Sequence, residues 1–400
     1  MAERVMAKAT PALLRWARET RGYSLEKAAL SLDVDRDQLA LAERGDAKLT
    51  FAQLRRAAEG YKRPIAVFFL PKPPDSQPGI PDFRRLPEAQ GHPFSPELLF
   101  QMRRLSHKRS VAIRLSEFAP PRDWAFIGSV NVGADPEEIG LHIRSLLNLP
   151  VEVTRRWRDP YARLKGWRDA IENTGALVFV LQRLSISDMR GMSIAEAPFP
   201  IIALNRADAP SARLFSLLHE FTHLLIGKSG LCDDYEGDDY HNSAEARRVE
   251  VFCNAVAAAA LMPIGTVRGL VAQSDHRQGR SWEEGELRSL ADKLGVSLEA
   301  FLRRLVVLGL AKEQEYEALR RDWQSRATLA IDTKEAADGD EKSNFSERGY
   351  ETVLRTQGAN YVRMVIEAMH GEAITASDAS DFLDMKLKHL AGLEGTLVGG

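Results

Sequence analysis

At 400 residues and 44.6 kDa the chain is too long for one small domain, so two or three are expected. Hydrophobic residues make up 44% and charged residues 28%, which argues against a largely disordered chain. Lys plus Arg is 54 against 56 for Asp plus Glu, so whole-chain charge marks neither a nucleic-acid binder nor an acidic solvating protein. Two cysteines, Cys232 and Cys253, cannot build a disulfide framework or a four-thiolate zinc site. The N-terminus meets Arg15 before any apolar run forms, which argues against a signal peptide. The most apolar stretch, Ala255 to Met262, stops at Pro263 and is too short to span a bilayer. The expectation is a soluble, cytoplasmic, multidomain protein with no membrane partner.

Pro11 to Leu70 reads as five short helices. Leu13, Leu14 and Ala17 repeat at helical spacing until Arg21-Gly22, and Ser24 caps a second helix that turns Ala28, Ala29 and Leu32 inward. Asp35 with Gln38 and Thr50 with Gln53 are capping-box patterns for the next two, the third helix ending at Arg44-Gly45. Pro64 sits at the first turn of a fifth, Ile65 to Leu70. A tight turn between the second and third predicts a helix-turn-helix domain over 1–70.

PKPPDSQPGIP, with five prolines, predicts a semi-rigid linker over 71–94. Helices are expected at Ser95 to Phe118, Asp135 to Leu147 and Asp159 to Asn173. Then the period changes to short β-branched or aromatic runs, Ala176 to Leu181, Met189 to Ile194 and Phe199 to Leu204. Long helical patterns follow at Ser211 to Ile226 and Ser243 to Met262, separated by GKSGLCDDYEGDDYHN. The chain is helical again from Ser281 to Trp323, closing a domain over 95–325. A charged linker is expected over 326–357, with Leu329 to Ser346 disordered, before a C-terminal helical segment over 358–400. Within that segment the amphipathic stretch Ile374 to Leu390 is expected to dock on another helix, in this chain or in a second copy.

His219-Glu220-Phe221-Thr222-His223 is the strongest chemical signal. Residues four apart share a helix face, so both imidazoles can bind one metal ion. Glu220 lies one position round, where its carboxylate can act as a base toward water on the metal without being a ligand. A metzincin would place its next ligands at Ile226 and Ser229, which excludes that class. The alternative is a carboxylate on a following helix. Glu250, 27 residues after His223 (250 − 223), lies in the apolar-periodic run RRVEVFCNAVAAAALMP, with Glu245, His241 and the pair Asp238-Asp239 as rivals.

HEFTHLL, then SGLCDD, then EVFCNAVAAAALMP resembles the ImmA/IrrE family of metallopeptidases, over roughly Leu164 to Pro263 and more weakly through Leu310. The N-terminal segment, with YKRPIAVFFLPKPP and IPDFRR, resembles the Cro/repressor-type helix-turn-helix modules fused to such peptidases. The resemblance implies that His219, His223 and Glu250 bind Zn2+ and that Glu220 is the catalytic base. It also implies a repressor or other regulator as protein substrate, or an antitoxin role beside a cognate toxin.

Softer candidates surround these. Asn254, one turn after Glu250, can orient the glutamate or satisfy a backbone carbonyl. Arg213 can bind substrate or steady Glu250. Tyr235, Tyr240 and His241, in the loop between the two metal-site helices, are available for an oxyanion. Asp233, Asp234, Glu236, Asp238 and Asp239 make that loop acidic and suited to a basic substrate segment. Residues 1–71 hold 13 Lys plus Arg and 9 Asp plus Glu, a balance of only +4. The third helix offers Arg36, Gln38 and Arg44 to double-stranded DNA, opposed by Asp37 and Glu43.

The expected fold is α+β: an all-α helix-turn-helix domain, a zincin-like domain with a small antiparallel sheet, and a helical C-terminal region. Phe199 to Leu204, just before the motif helix, is the expected edge strand that receives substrate. The expected function is regulatory zinc endopeptidase. The alternative is a transcription regulator or antitoxin, binding DNA or a toxin, whose zinc domain senses or scaffolds without turnover. A homodimer is compatible with either.

Overall fold

A computed structural model describes residues 5–74, 94–118, 122–232, 244–274, 281–323 and 349–393. The predicted linker over 71–94, apart from its first four residues and Phe94, lies outside them, as do Leu329 to Ser346 and the acidic loop from Asp233. The described residues divide into two compact units, one up to residue 110 and one from residue 111 on.

In the first unit α1 (Pro11–Arg21), α2 (Leu25–Leu32), α3 (Arg36–Arg44) and α4 (Phe51–Gly60) enclose Leu14, Ala17, Leu32, Leu39, Leu54 and Tyr61. The caps read from sequence form. Ser24 Oγ accepts from Lys27 N, Asp35 from Asp37 N and Gln38 N, and Thr50 with Gln53 closes a full capping box. Asp33, in the left-handed region at φ 53°, makes the tight turn between α2 and α3. The fifth segment is a 3-10 turn, Ile65–Phe69, and not an α-helix; it is too short to build a regular i→i−4 ladder. α5 (Pro96–Leu115) begins in this unit, where Arg21 pairs with Glu97 at 3.2 Å.

The second unit continues with α6 (Pro136–Leu146), the single turn α7 (Val151–Thr154) and α8 (Pro160–Asn173). Asp135 and Asp159 cap α6 and α8, and each helix carries proline at its first turn. Strands β1 (Leu177–Leu181), β2 (Gly191–Ile194) and β3 (Ile201–Asn205) precede α9 (Pro210–Leu225), which holds the HEFTH motif. β4 (Gly230–Cys232) and α10 (Ala244–Leu261) follow.

The sheet has the order β1-β3-β2-β4, with β1 parallel to β3 and the other pairs antiparallel. It is therefore mixed, where an antiparallel sheet was expected. β3 turns back past β2 and pairs with β1, so Val178 stands beside Ile202 in parallel register. The expected edge strand, Phe199 to Leu204, is corrected by the same topology: β3 is interior, flanked by β1 and β2. The edges are β1 and β4, and β4 forms inside a segment read from sequence as loop. Three residues are too few to show a period, and only pairing with β2 makes them a strand.

α10 is placed by close contact and by charge. Gly140 of α6 lies against the Ala259–Ala260 backbone, where an added Cβ would stand 2.7 Å from Ala260 N. Carbonyls at the end of α10 and at Met262 just beyond it are taken by two buried arginines. Arg144 Nε donates to Ala260 O at 2.6 Å, and Arg304 Nε to Met262 O at 3.0 Å. Cations at a helix C-terminus satisfy orphan acceptors and complement the macrodipole. Arg304 is itself paired with Glu137 at 2.6 Å.

The predicted run from Ser281 to Trp323 is three helices, α12 (Glu284–Leu294), α13 (Leu298–Val307) and α14 (313–323), preceded by α11 (Ile264–Ala272). Gly295 in the left-handed conformation and the Ser297 cap break the first from the second. Beyond residue 348 come α15 (Gly349–Gln357), α16 (Ala359–His370) and α17 (Ala376–Phe382). Nine residues assigned from sequence to a charged linker are thus the helix α15. This C-terminal piece docks within the chain: Phe179 of β1 meets Tyr361 edge-on at 5.5 Å, and Glu172 of α8 accepts from Ala359 N at 3.0 Å. α15 lies against β1 and α16 against α8, and in the Ile374–Leu390 stretch the short α17, which ends at Phe382, packs on α16 as one of the expected alternatives. Among the described residues no single helix is long and apolar enough to cross a membrane.

Candidate metal centre

α9 is buried almost throughout: His219, Glu220 and His223 are exposed by 1%, 0% and 3%. Its apolar residues Leu217, Leu218, Phe221, Leu224 and Leu225 join the main core, which carries the polar residues inward with them. A histidine pair and a carboxylate placed there must find partners within the protein.

Those partners converge from α10. His219 Nε2 lies 3.1 Å from His223 Nε2, 3.1 Å from Glu250 Oε2, and His223 Nε2 lies 3.2 Å from Glu250 Oε1. Donors bound at about 2.0 Å to one tetrahedral ion stand about 3.3 Å apart, so this triangle has the dimensions of a metal-binding face. Burial alone would raise the Glu250 carboxyl, but hydrogen bonds from His219 and His223 hold it well below the usual carboxylate range. Burial would likewise lower His223, and hydrogen bonds with Cys253 and Glu250 push it up to about 10. The three groups are thus held together by shared protons, which a divalent cation would replace.

Asn254, one turn along α10 from Glu250, places Oδ1 3.0 Å from His219 Nδ1. That contact holds a ring proton at Nδ1, so that once Nε2 gives up the proton it shares with Glu250 its lone pair faces the cluster. Of the two sequence readings for Asn254, orienting a group in the cluster is the one the geometry matches, with histidine in place of glutamate as the group oriented. Cys253 is fully buried and lies within 4.8 Å of donor atoms of both histidines.

Glu220 faces the sheet. Its Oε2 accepts from Ser193 Oγ of β2 at 2.7 Å, and its Oε1 is buried without a hydrogen-bond partner among the described residues. Burial pushes its carboxyl above the usual range, against the pull of His223, His219 and the Ser193 hydroxyl. Two glycines make the floor. A Cβ on Gly191 would stand 2.8 Å from Glu220 Oε1, and one on Gly230 would stand 2.8 Å from the His223 ring. Ser193, Gly191 and Gly230 carry no sequence signal of their own, because their importance lies in what the sheet brings opposite them. Gly230 N also donates to Ser193 Oγ at 3.3 Å, which ties β4 to the same hydroxyl.

Other sequence candidates fall elsewhere. The Arg213 guanidinium lies over the Tyr161 ring at 5.8 Å, with no hydrogen bond or ion pair to Glu250 among the described residues. Its place near the start of α9, six residues before His219, turns it toward α8 and away from α10, so steadying Glu250 is not its role here. Tyr235, Tyr240 and His241 lie outside the described residues. Glu245, a rival ligand, is exposed and paired with Lys228 at 2.8 Å. In the first unit Arg36 is paired with Glu26 at 2.7 Å and Asp37 at 3.2 Å, and Arg44 with Asp46 at 3.4 Å. Gln38 is half-buried, and Glu43 is buried against Arg18 at 2.7 Å.

A motif helix lies on a small mixed sheet, and a second helix brings a carboxylate to its histidine pair, a donor set that could hold a metal ion. Residues 176–306 match the family model described as the IrrE N-terminal-like domain, of peptidase family M78, which supports the ImmA/IrrE resemblance and a metallopeptidase-like function. No curated protein matches the chain.

Proposed function

We propose that this protein is a zinc-dependent endopeptidase of regulatory type that cleaves a partner transcription regulator or antitoxin-like protein. The observation that supports it best is the convergence of His219, His223 and Glu250 at 3.1–3.2 Å beside a buried carboxylate that belongs to none of these contacts. A purely structural metal site has no use for Glu220, whose burial costs stability. The donor set suits zinc, borderline-soft and content with imidazole and carboxylate. When bound, zinc supplies Lewis acidity, which polarises a peptide carbonyl and brings the pKa of water to roughly 7.

The protein's own residues do the rest. His219 and His223 present Nε2, the first held in register by Asn254. Glu220, its carboxyl raised by burial, takes a proton from the attacking water at Oε1 and returns it to the leaving amine. Ser193 fixes Oε2 meanwhile. The β4 edge, tied to Ser193 and seated against His223, is the strand a substrate segment would extend.

The N-terminal unit serves as a helix-turn-helix domain that recognises the partner, and DNA recognition is secondary. Arg36 and Arg44 already meet carboxylates, which leaves α3 no arginine without an acidic partner to offer a phosphate. A cytoplasmic setting and either a monomer or a homodimer fit this reading.

Glu220→Gln in the full chain is the test. The variant should keep about one zinc per chain and capture its partner intact, while wild type releases cleaved partner at a rate higher by roughly 10² or more. Equal cleavage by both would sink the mechanism. A captured partner that wild type never cuts would instead favour a regulator without turnover.

A further inference from the structure

Three arginines from three places in the chain converge at the end of α1. Arg21 is the last residue of α1, Arg63 follows α4, and Arg103 lies on α5, all within the first unit. Arg63 Nη2 donates to the Thr20 hydroxyl at 3.3 Å, and Arg103 Nη1 donates to the Thr20 carbonyl. Arg21, one residue on, donates to Pro96 O and pairs with Glu97 at 3.2 Å. Aromatic rings back the guanidinium groups. Arg63 lies over Trp16 at 4.3 Å, and Arg21 and Arg103 lie over Phe100 at 5.0 and 6.0 Å.

Charge here is unbalanced. Among the described residues Glu97 is the one carboxylate paired with any of the three, since Glu19 and Glu43 pair with Arg18. Arg103 is pushed down to about 10 by burial first, then by the like charges of Arg63 and Arg21. Each of the three also keeps a buried N–H with no acceptor among the described residues: Arg21 Nε, Arg63 Nε and Arg103 Nη2. Arg21 is 5% exposed, so bulk water does not make up the deficit. A helix end accounts for one of these cations, Arg103 on the Thr20 carbonyl, but not for three. Like charges held together out of water cost stability until an anion joins them.

We propose that Arg21, Arg63 and Arg103 form a binding site for a phosphate dianion, carried as the terminal group of a small ester or as the free ion. Three guanidinium groups against one carboxylate leave two positive charges, which a phosphate dianion balances. Guanidinium forks also suit its terminal oxygens, each of which can accept from more than one N–H. The anion enters from the side where Arg63 and Arg103 remain partly exposed. A nucleic-acid backbone fits less well, since each of its phosphates carries a single charge and Arg21 is sealed from the surface. Once bound, the anion ties α5 to α1 and to the segment after α4. The site is independent of the metal reading.

The test uses the full-length protein in equilibrium dialysis at fixed ionic strength, with adenosine monophosphate, inorganic phosphate and adenosine as probes. At least one phosphate probe should bind at one site per chain with a Kd of about 1 mM or tighter, and adenosine should not bind. Equal affinity for the two phosphate probes would name the free ion as the ligand, and tighter binding of the nucleotide would name the ester. Arg103→Met should weaken binding at least about tenfold. Arg63→Met, on a different segment, makes the same test if the first variant fails to fold. Arg15→Met, on the exposed side of α1, should bind as wild type does. Thermal melting separates a ligand site from a structural one. Without phosphate Arg103→Met should melt no lower than wild type, because it removes an unbalanced cation, and phosphate should raise the Tm of wild type alone. No saturable phosphate binding, wild-type affinity in both cluster variants, or an equal loss in Arg15→Met would overturn the proposal. Displacement of bound phosphate by duplex DNA would make the cluster a nucleic-acid contact and overturn it as well.

Discussion

α10 and α3 each carry charged residues that sequence marks as functional, and the structure treats them in opposite ways. On α10, Glu250 is drawn into a buried cluster whose partners, His219 and His223, sit on another helix and leave a centre the size of one ion. On α3, Arg36 and Arg44 remain at the surface, each satisfied by a carboxylate on its own or a neighbouring short element. Buried polar groups that converge have been desolvated at a cost, and that cost calls for a ligand. Exposed pairs cost little and imply little. The contrast separates a site from a solvated face more sharply than charge counting does.

The largest effect should come from breaking the cluster. His219→Ala or His223→Ala should reduce zinc content from about one per chain to near zero by metal analysis. Retention of zinc would put the donors elsewhere. Gly230→Ala should come next, because its Cβ would meet the His223 ring at 2.8 Å. It should weaken zinc binding by more than tenfold or so, while Gly191→Ala, which crowds Glu220 instead, should leave zinc affinity nearly unchanged and impair cleavage. Similar zinc affinities for the two variants would deny the sheet its part in seating the centre.

Asn254→Ala should weaken zinc binding by roughly 10- to 100-fold through loss of the His219 Nδ1 contact, measured by competition with a chelator. A smaller effect follows for Glu220→Gln on stability. Burial raises the Glu220 carboxyl above its ordinary 4.5. An acid so raised costs stability as pH climbs through that ordinary value, and the cost is complete above the folded-state value. The glutamine variant should therefore melt at least about 2 °C higher than wild type at pH 7 and gain nothing near pH 4. A lower Tm at pH 7 would show that the carboxylate is stabilised by a partner and is no free base. Smallest of all, Arg36→Ala combined with Arg44→Ala should change duplex-DNA affinity by less than about threefold in a salt titration. A loss of tenfold or more would erase the contrast and make α3 a DNA reader.

Much of this was legible residue by residue. The HEFTH spacing, the apolar period around Glu250 and the caps at Ser24, Asp35 and Thr50 are local, and local patterns survive being read along a line. The apolar run favoured Glu250 as the third donor, but only the family resemblance singled it out, since Glu245, His241 and Asp238-Asp239 stood as rivals in the sequence. Ser193 and the two floor glycines were not legible at all. A serine in a four-residue strand means nothing until register places it beneath Glu220.

By itself, the sequence determined which helices form, because capping groups, helical periods and helix-breaking glycines act within a turn or two of the chain. It also determined which helix carries two histidines and a carboxylate on adjoining faces. Only the tertiary structure decided the strand order, since β3 pairs with both β1 and β2 although only one of them adjoins it in sequence. It alone decided that three residues after α9 become an edge strand, and that the C-terminal helices dock within the chain on α8 and β1. Those outcomes depend on contacts between residues far apart in sequence, as Arg144 with Ala260 or Glu172 with Ala359, and no local pattern encodes a distance across the core.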